Sequence, residues 1–188
     1  MKLVVGISGA SGAIYGIRLL QVLKEMEGIE THLVISEAAA TTIEMETDWT
    51  LSRIEALATF HYQNEDIAAR LASGSFITDG MVIIPCSVKT LSAVASSYGH
   101  NLMTRVADVT LKERRKLVLV VRETPLHLGH LRTMASLTEI GAVILPPVPA
   151  FYHHPRTIDD IVDQTMGKVL DQFGIAHQCY RRWEGTSA

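Results

Sequence analysis

The sequence predicts an α/β fold, a three-layer αβα sandwich with a mostly parallel sheet, on three observations. Short apolar runs alternate with helix-patterned segments five times along 188 residues, the order that crossover connections impose on parallel strands. The runs Met81 to Ile84 and Leu117 to Val121 are apolar throughout instead of alternating, as strands covered on both faces are. Hydrophobic residues make up 47% of the chain against 20% charged, with a mean hydropathy of +0.19. That balance points to a sheet buried on both faces, with further surface buried between subunits. The length suits one domain, so residues 1–188 are read as a single unit.

Composition also excludes function classes. The net charge is −3 and Lys and Arg are scattered, so no basic stripe marks nucleic acid as a partner. No apolar run approaches the roughly 20 residues of a membrane helix. The first run is broken at once by Gly and Ser, unlike a signal peptide; a cytoplasmic protein without a membrane partner is expected. Cys86 and Cys179 form no disulfide framework and lack metal-site spacing. His127 with His130, and His153 with His154, lack a third ligand fixed nearby, so no metal is expected.

The first strand is Leu3 to Val5, followed by a loop of glycines and serines and a helix from Ile14 to Lys24. Glycines 6, 9 and 12 leave Ser8 where a dinucleotide fingerprint needs its middle glycine, and no Lys follows as a Walker loop requires. What remains is a loop carrying the hydroxyls of Ser8 and Ser11, suited to a mononucleotide phosphate or to a reactive group laid over it. A packing turn that merely needs small residues is the equal alternative. Ile14, Ile17, Leu19, Leu20, Val22 and Leu23 form the helix's apolar side, which ends near Gly28.

Thr31 to Ser36 is the second strand, and Ser36 sits at its C-terminal end, the edge where open α/β sheets bind ligands. A helix from Ala38 to about Met45 leads to Glu46. Glu44 and Glu46 are two apart and cannot share a helix face, so they are not a carboxylate pair. Residues 50–78 are less regular, with Ser52 to Ala58 helical. The strand Met81 to Pro85 then delivers Ser87 and Thr90 to a helix start. With Ser11 and Ser36, three strand ends carry the same chemistry: a shared phosphate or polar site, or ordinary N-caps.

Leu102 to Glu113 reads as a helix with Arg105 and Lys112 on one face; Asp108 between them is expected to pair with Lys112 at i,i+4. The strand Lys116 to Val121 delivers Arg122 and Glu123, either an internal ion pair or a phosphate clamp with an acid beside it. Ala142 to Leu145 is the fifth strand. Four prolines between Pro146 and Pro155 stiffen the next segment, which positions Tyr152 for a site or for packing. Thr157 and Asp160 open the last helix as a capping box, and Gly174 ends it. Lys168 lies at the edge of its apolar face, where it either turns into a site or snorkels to water. Residues 175–188 form an arm bearing Tyr180-Arg181-Arg182-Trp183, read as packing at a subunit interface.

Taken together, Gly9-Ala-Ser-Gly-Ala with Tyr15-Gly16, Glu46-Thr-Asp48, Pro85-Cys-Ser87, Arg105-x-Ala-Asp108, Leu111-Lys-Glu-Arg-Arg115, Arg122-Glu123 and Pro149-Ala-Phe-Tyr152 resemble the UbiX flavin prenyltransferase family. The resemblance runs from Lys2 to Trp183. It implies a flavodoxin/Rossmann-like flavoprotein assembled as a dodecamer, with the site where subunits meet. It implies that reduced FMN is alkylated at N5 by dimethylallyl monophosphate and closed at C6. The product, prenylated FMN, would serve a UbiD-type decarboxylase, and no metal is required.

By the same resemblance, Gly9, Ala10 and Ser11 would meet the flavin, with Ser36, Ser87, Thr90 and Arg122 completing its phosphate and polar contacts. Ser11 would lie near N5 with Glu46 as its proton-handling partner. Arg105, Lys112, Glu123, Tyr152 and Lys168 would hold the prenyl phosphate, Glu123 protonating it as it leaves. Cations and an acid stabilise the developing phosphate charge, and the face of Trp183 the prenyl cation. Lys168 stands where relatives usually carry Arg, which keeps the charge and loses the bidentate fork. Two other functions are compatible with such a chain. One is a non-catalytic FMN-binding subunit of a hydroxyarylic acid decarboxylase complex, which would not need the second phosphate set. The other is a flavin-dependent cysteine decarboxylase, which would carry a His after the second strand; none stands there.

Overall fold

The computed structural model describes residues 1–183 and 185; the remainder of the arm, residues 184 and 186–188, lies outside them. Thirteen regular elements follow in the order β1 (Lys2–Ile7), α1 (Ala13–Lys24), β2 (Glu30–Ile35), α2 (Glu37–Glu46), α3 (Leu51–Glu55), β3 (Phe60–Gln63), β4 (Gly80–Cys86), α4 (Val88–Ala95), α5 (Leu102–Lys112), β5 (Lys116–Val121), α6 (Leu128–Glu139), β6 (Ala142–Ile144) and α7 (Ile158–Gln172), with a short 3-10 turn at Arg70–Ala72. The strands form one sheet in the order β3-β2-β1-β4-β5-β6, and each neighbouring pair is parallel.

The pleat of β1 explains the layering. Leu3, Val5 and Ile7 point to one face, where they pack with Ile17 and Leu20 of α1 and Val162, Met166 and Val169 of α7. Val4 points to the other, with Leu91 of α4, Met103 and Val106 of α5 and Leu137 of α6. Successive strands therefore need apolar residues at every position, which is why β4 is buried from end to end. None of the described helices is long and apolar enough to cross a membrane.

The sixth strand, β3, departs from the five expected. Its residues Phe60-His-Tyr-Gln are mostly exposed, so no apolar run announces it, and long-range contacts hold it. His32, buried in β2, stacks on Phe60 with ring centroids 5.2 Å apart and lies 3.0 Å from the Tyr62 hydroxyl. That hydroxyl accepts from Arg70 Nε at 2.8 Å, so its own proton goes to His32 Nδ1, and Nε2–H faces Glu30 at 2.8 Å.

Strand order turns at β1: β2 and β3 lie to one side, and β4, β5 and β6 to the other. The loops after β1 and β4 leave the sheet toward opposite faces and open a crevice between their C-terminal ends. α1 crosses this line closely. A Cβ on Gly16 would collide with the carbonyl oxygen of Ile84 and lie 2.9 Å from the Ile7 side chain. Gly16→Ala is therefore expected to destabilise the chain by about 1–3 kcal/mol, read as a lower midpoint in denaturant unfolding.

Candidate active site at the strand ends

A cleft of about 590 Å³ opens at this crevice, and its lining includes Gly9, Ala10, Ser36, Ser87, Thr90, Arg122 and Glu123. Residues from four separate strand ends thus share one wall. Ser36 caps α2, its Oγ accepting from Ala39 N at 3.1 Å. Ser87 caps α4 in the same way, accepting from Thr90 N at 3.3 Å while donating to Thr90 Oγ1 at 3.1 Å. A hydroxyl offers two lone pairs and one proton, so capping leaves the Ser36 proton free, and Thr90 keeps the proton of its own hydroxyl. The cap reading of these serines holds, and their place in the cleft lining leaves them available as ligand donors. The starts of α2 and α4 add N–H groups and positive dipole ends.

Gly9 sets the depth of the cleft, because a Cβ there would run into the Cβ of Ala38 at the start of α2. Ser8 takes the packing alternative of the two that the sequence left open. It is buried, donates to Pro85 O at 2.9 Å and accepts from Ser87 N at 2.8 Å. Its hydroxyl is spent on joining the ends of β1 and β4.

Ser11 and Glu46 meet at the start of α1. That helix begins after Gly12, whose φ of 100° is open to glycine and which offers no side-chain cap. Glu46, the last residue of α2, supplies the cap instead, accepting from Gly12 N at 2.8 Å and Ala13 N at 3.4 Å. Burial pushes its carboxyl upward, but hydrogen bonds from Ser11, Gly12 and Ala13 and the charge of Arg122 hold it below the usual carboxylate range. Arg122 is tethered by its backbone N–H to Cys86 O at 3.1 Å, and its charge also reaches Tyr15. Beside it, Glu123 Oε1 accepts from Thr124 N at 2.9 Å.

The remaining predicted residues stand apart from this lining in two groups. On α5, Arg105 pairs with Asp108 at 2.8 Å and donates through Nε to Ala72 O at 3.2 Å. Asp108 was expected to pair with Lys112; it pairs with Arg105 instead, because i,i+3 is as near as i,i+4 and the Ala72 carbonyl steadies the guanidinium. Lys112 pairs with Glu113. At the other outlying point, Tyr152 meets Trp183 edge-on, with centroids 6.0 Å apart, and Lys168 Nζ lies 5.9 Å over the Tyr180 ring.

The sequence reading missed Asn64, a buried residue whose Oδ1 accepts from Met103 N at 3.2 Å and which lines the cleft. It lies in the irregular stretch, where a lone polar residue carries no period. Lys89, given no role from sequence, also lines the cleft. His127 Nδ1 accepts from Gly129 N at 3.0 Å as the cap of α6. Among the described residues, no three His, Cys, Asp or Glu side chains are grouped to hold a metal ion. The cleft's chemistry, two helix starts, free hydroxyl protons, a glycine-deepened floor and one guanidinium, fits a phosphorylated planar ligand such as FMN.

Comparison with known proteins agrees with this geometry. The model of the Flavoprotein family matches residues 1–170. A flavin prenyltransferase UbiX from Escherichia coli is 61% identical over 187 residues, covering 98% of this chain and 99% of that protein. A dodecameric FMN-dependent UbiX-like decarboxylase, also from Escherichia coli, superposes with a TM-score of 0.97 at 54% identity, covering 98% of this chain and all of its own. AnUbiX, solved in complex with FMN and dimethylallyl pyrophosphate, gives a TM-score of 0.96 at 48% identity, covering 99% of this chain and 98% of its own.

Proposed function

The chain belongs to the flavoprotein family, in its UbiX flavin prenyltransferase branch, and from that membership we propose that it makes prenylated FMN. It joins the dimethylallyl group of dimethylallyl monophosphate to N5 and C6 of reduced FMN. The observation that carries this reading is the pairing at the end of β5. Arg122 and Glu123 line the same cleft as the hydroxyls and helix starts, so a carboxyl able to deliver a proton stands in the flavin cleft itself. A non-catalytic FMN-binding subunit would need the cation and not the acid.

Reduced FMN supplies the nucleophilic ring atoms when bound. The chain supplies the rest. Ser36, Ser87, Thr90 and Arg122 hold the flavin's phosphate and polar edge, while Gly9 and Ala10 let the ring approach. Ser11, next to the Gly12 N–H that Glu46 caps, handles a proton near N5. Glu123 protonates the departing prenyl phosphate, which Arg105, Lys112, Tyr152 and Lys168 grip, and Trp183 faces the prenyl group.

These groups do not meet within one chain, so the reading includes a homo-oligomer, a dodecamer like the relative of that state. Two features support it. Leu126, Leu128, Leu131, Val148 and Phe151 expose apolar surface that a second copy would cover. His130 Nδ1 and both ring nitrogens of His153 are buried without a hydrogen-bond partner among the described residues. We further read the arm, residues 175–188, as part of the single domain that reaches the interface, the chain as cytoplasmic, and a UbiD-type decarboxylase as the recipient of the product. Incubating the protein anaerobically with reduced FMN and dimethylallyl monophosphate is expected to yield the mass of the adduct. FMN bound with no adduct formed would sink the transferase reading and leave the carrier.

A further inference from the structure

One carboxylate near the end of α7 gathers the beginning of the C-terminal arm. Asp171 accepts from His177 Nε2 at 3.1 Å, from the Tyr180 hydroxyl at 3.0 Å and from Arg182 Nη2 at 2.5 Å. His177 Nδ1 accepts from Cys179 N at 3.2 Å, so its proton sits on Nε2 and points at Asp171. Burial raises the Asp171 carboxyl, but the bonds from Arg182, Tyr180 and His177 outweigh it and bring the group down to about 2. Its ordinary value is 3.8, so this contribution is complete above about pH 4 and is lost as pH falls toward 2.

The helix beneath is shaped for the same contact. A Cβ on Gly167 would strike the Tyr180 ring and lie 2.6 Å from the His177 ring. A glycine inside a helix is less stable than alanine, so Gly167 gives up helix stability to seat the arm. From that seat the arm reaches the proline-rich segment: Tyr180 lies under Lys168 Nζ and 6.4 Å from the His153 ring. Trp183 then meets Tyr152 at 78°.

We propose that Asp171 is the positioning residue of a C-terminal strap, seated on Gly167, that places Tyr180 by Lys168 and sets Trp183 against Tyr152 at the prenyl-donor end of the site. The donor's identity rests on the transferase reading; the strap rests on the contacts themselves. None of Gly167, Asp171, His177, Tyr180 and Arg182 lines the flavin cleft. Releasing the strap therefore acts on the donor and spares the flavin.

The test uses the full chain with Trp49→Phe, which leaves Trp183 as the single tryptophan, and adds Asp171→Asn or Gly167→Ala. Each is expected to raise acrylamide quenching of Trp183 and to raise KM for dimethylallyl monophosphate roughly tenfold, with kcat changed less and FMN affinity unchanged. Unchanged quenching in both variants overturns the strap. Changed quenching with unchanged KM overturns its positioning role, and so does a parallel loss of FMN affinity, the mark of general unfolding. If the parent chain forms no adduct, the transferase reading fails, and the quenching still decides whether Asp171 holds the arm.

Discussion

Replacing Glu123 by glutamine is expected to leave FMN bound and to slow adduct formation by roughly 10²- to 10⁴-fold. Breaking the allylic C–O bond places negative charge on the departing phosphate, and a proton delivered there lowers the cost. Glutamine has the same volume and still donates a hydrogen bond, but it has no proton to transfer. One oxygen of Glu123 is already oriented by Thr124 N–H, which fixes the carboxyl at the mouth of the cleft. Flavin retention follows because Arg122 is tethered separately, through its own N–H to Cys86 O, and the capping serines lie on other strand ends. Time courses of adduct mass with reduced FMN and dimethylallyl monophosphate measure the rate, and FMN titration measures the affinity. Equal rates in the two proteins would remove Glu123 from the mechanism.

The strand-end serines were legible in the sequence because one residue type does two jobs at one place. Ser36 and Ser87 follow apolar runs and precede helical ones, and the same residue caps a helix and lines the cleft. The box formed by Thr157 and Asp160 was legible for a similar reason, being local: Asp160 N donates to Thr157 Oγ1 at 3.1 Å. What stayed hidden depends on distant partners. β3 is held by His32 and Arg70 rather than by its own pattern. Ser8, open from its sequence to either a ligand or a packing turn, is decided by Pro85 and Ser87, which use its hydroxyl. Asn64 reads as one polar residue in an irregular stretch, although it receives the backbone of α5. The role of Asp171 needs Tyr180 and Arg182 folded back onto its carboxylate. The α5 cations read by themselves as a solvated face and enter a phosphate site only through the family resemblance, and their own chain does not bring them to the cleft.

That separation yields the second large effect. Lys112→Ala is expected to slow adduct formation at limiting dimethylallyl monophosphate by about 10- to 100-fold, the loss of one charge-assisted phosphate contact. FMN affinity and stability should hardly change, because the partner of Lys112 within the chain is Glu113 in an exposed pair, and such pairs contribute about 0–1 kcal/mol. The decisive arrangement is co-expression of Lys112→Ala with Glu123→Gln. If the cleft of one copy takes Lys112 from a neighbour, a cleft on a Lys112→Ala chain beside a Glu123→Gln chain has both native groups. Random assembly at equal proportions makes roughly a quarter of the sites whole, and the mixture should recover about that share of the parent rate. If Lys112 serves the cleft of its own chain, no mixed site is ever complete. The mixture would then run at the average of the two variants, and the shared-site reading would fall while the role of Lys112 itself stood.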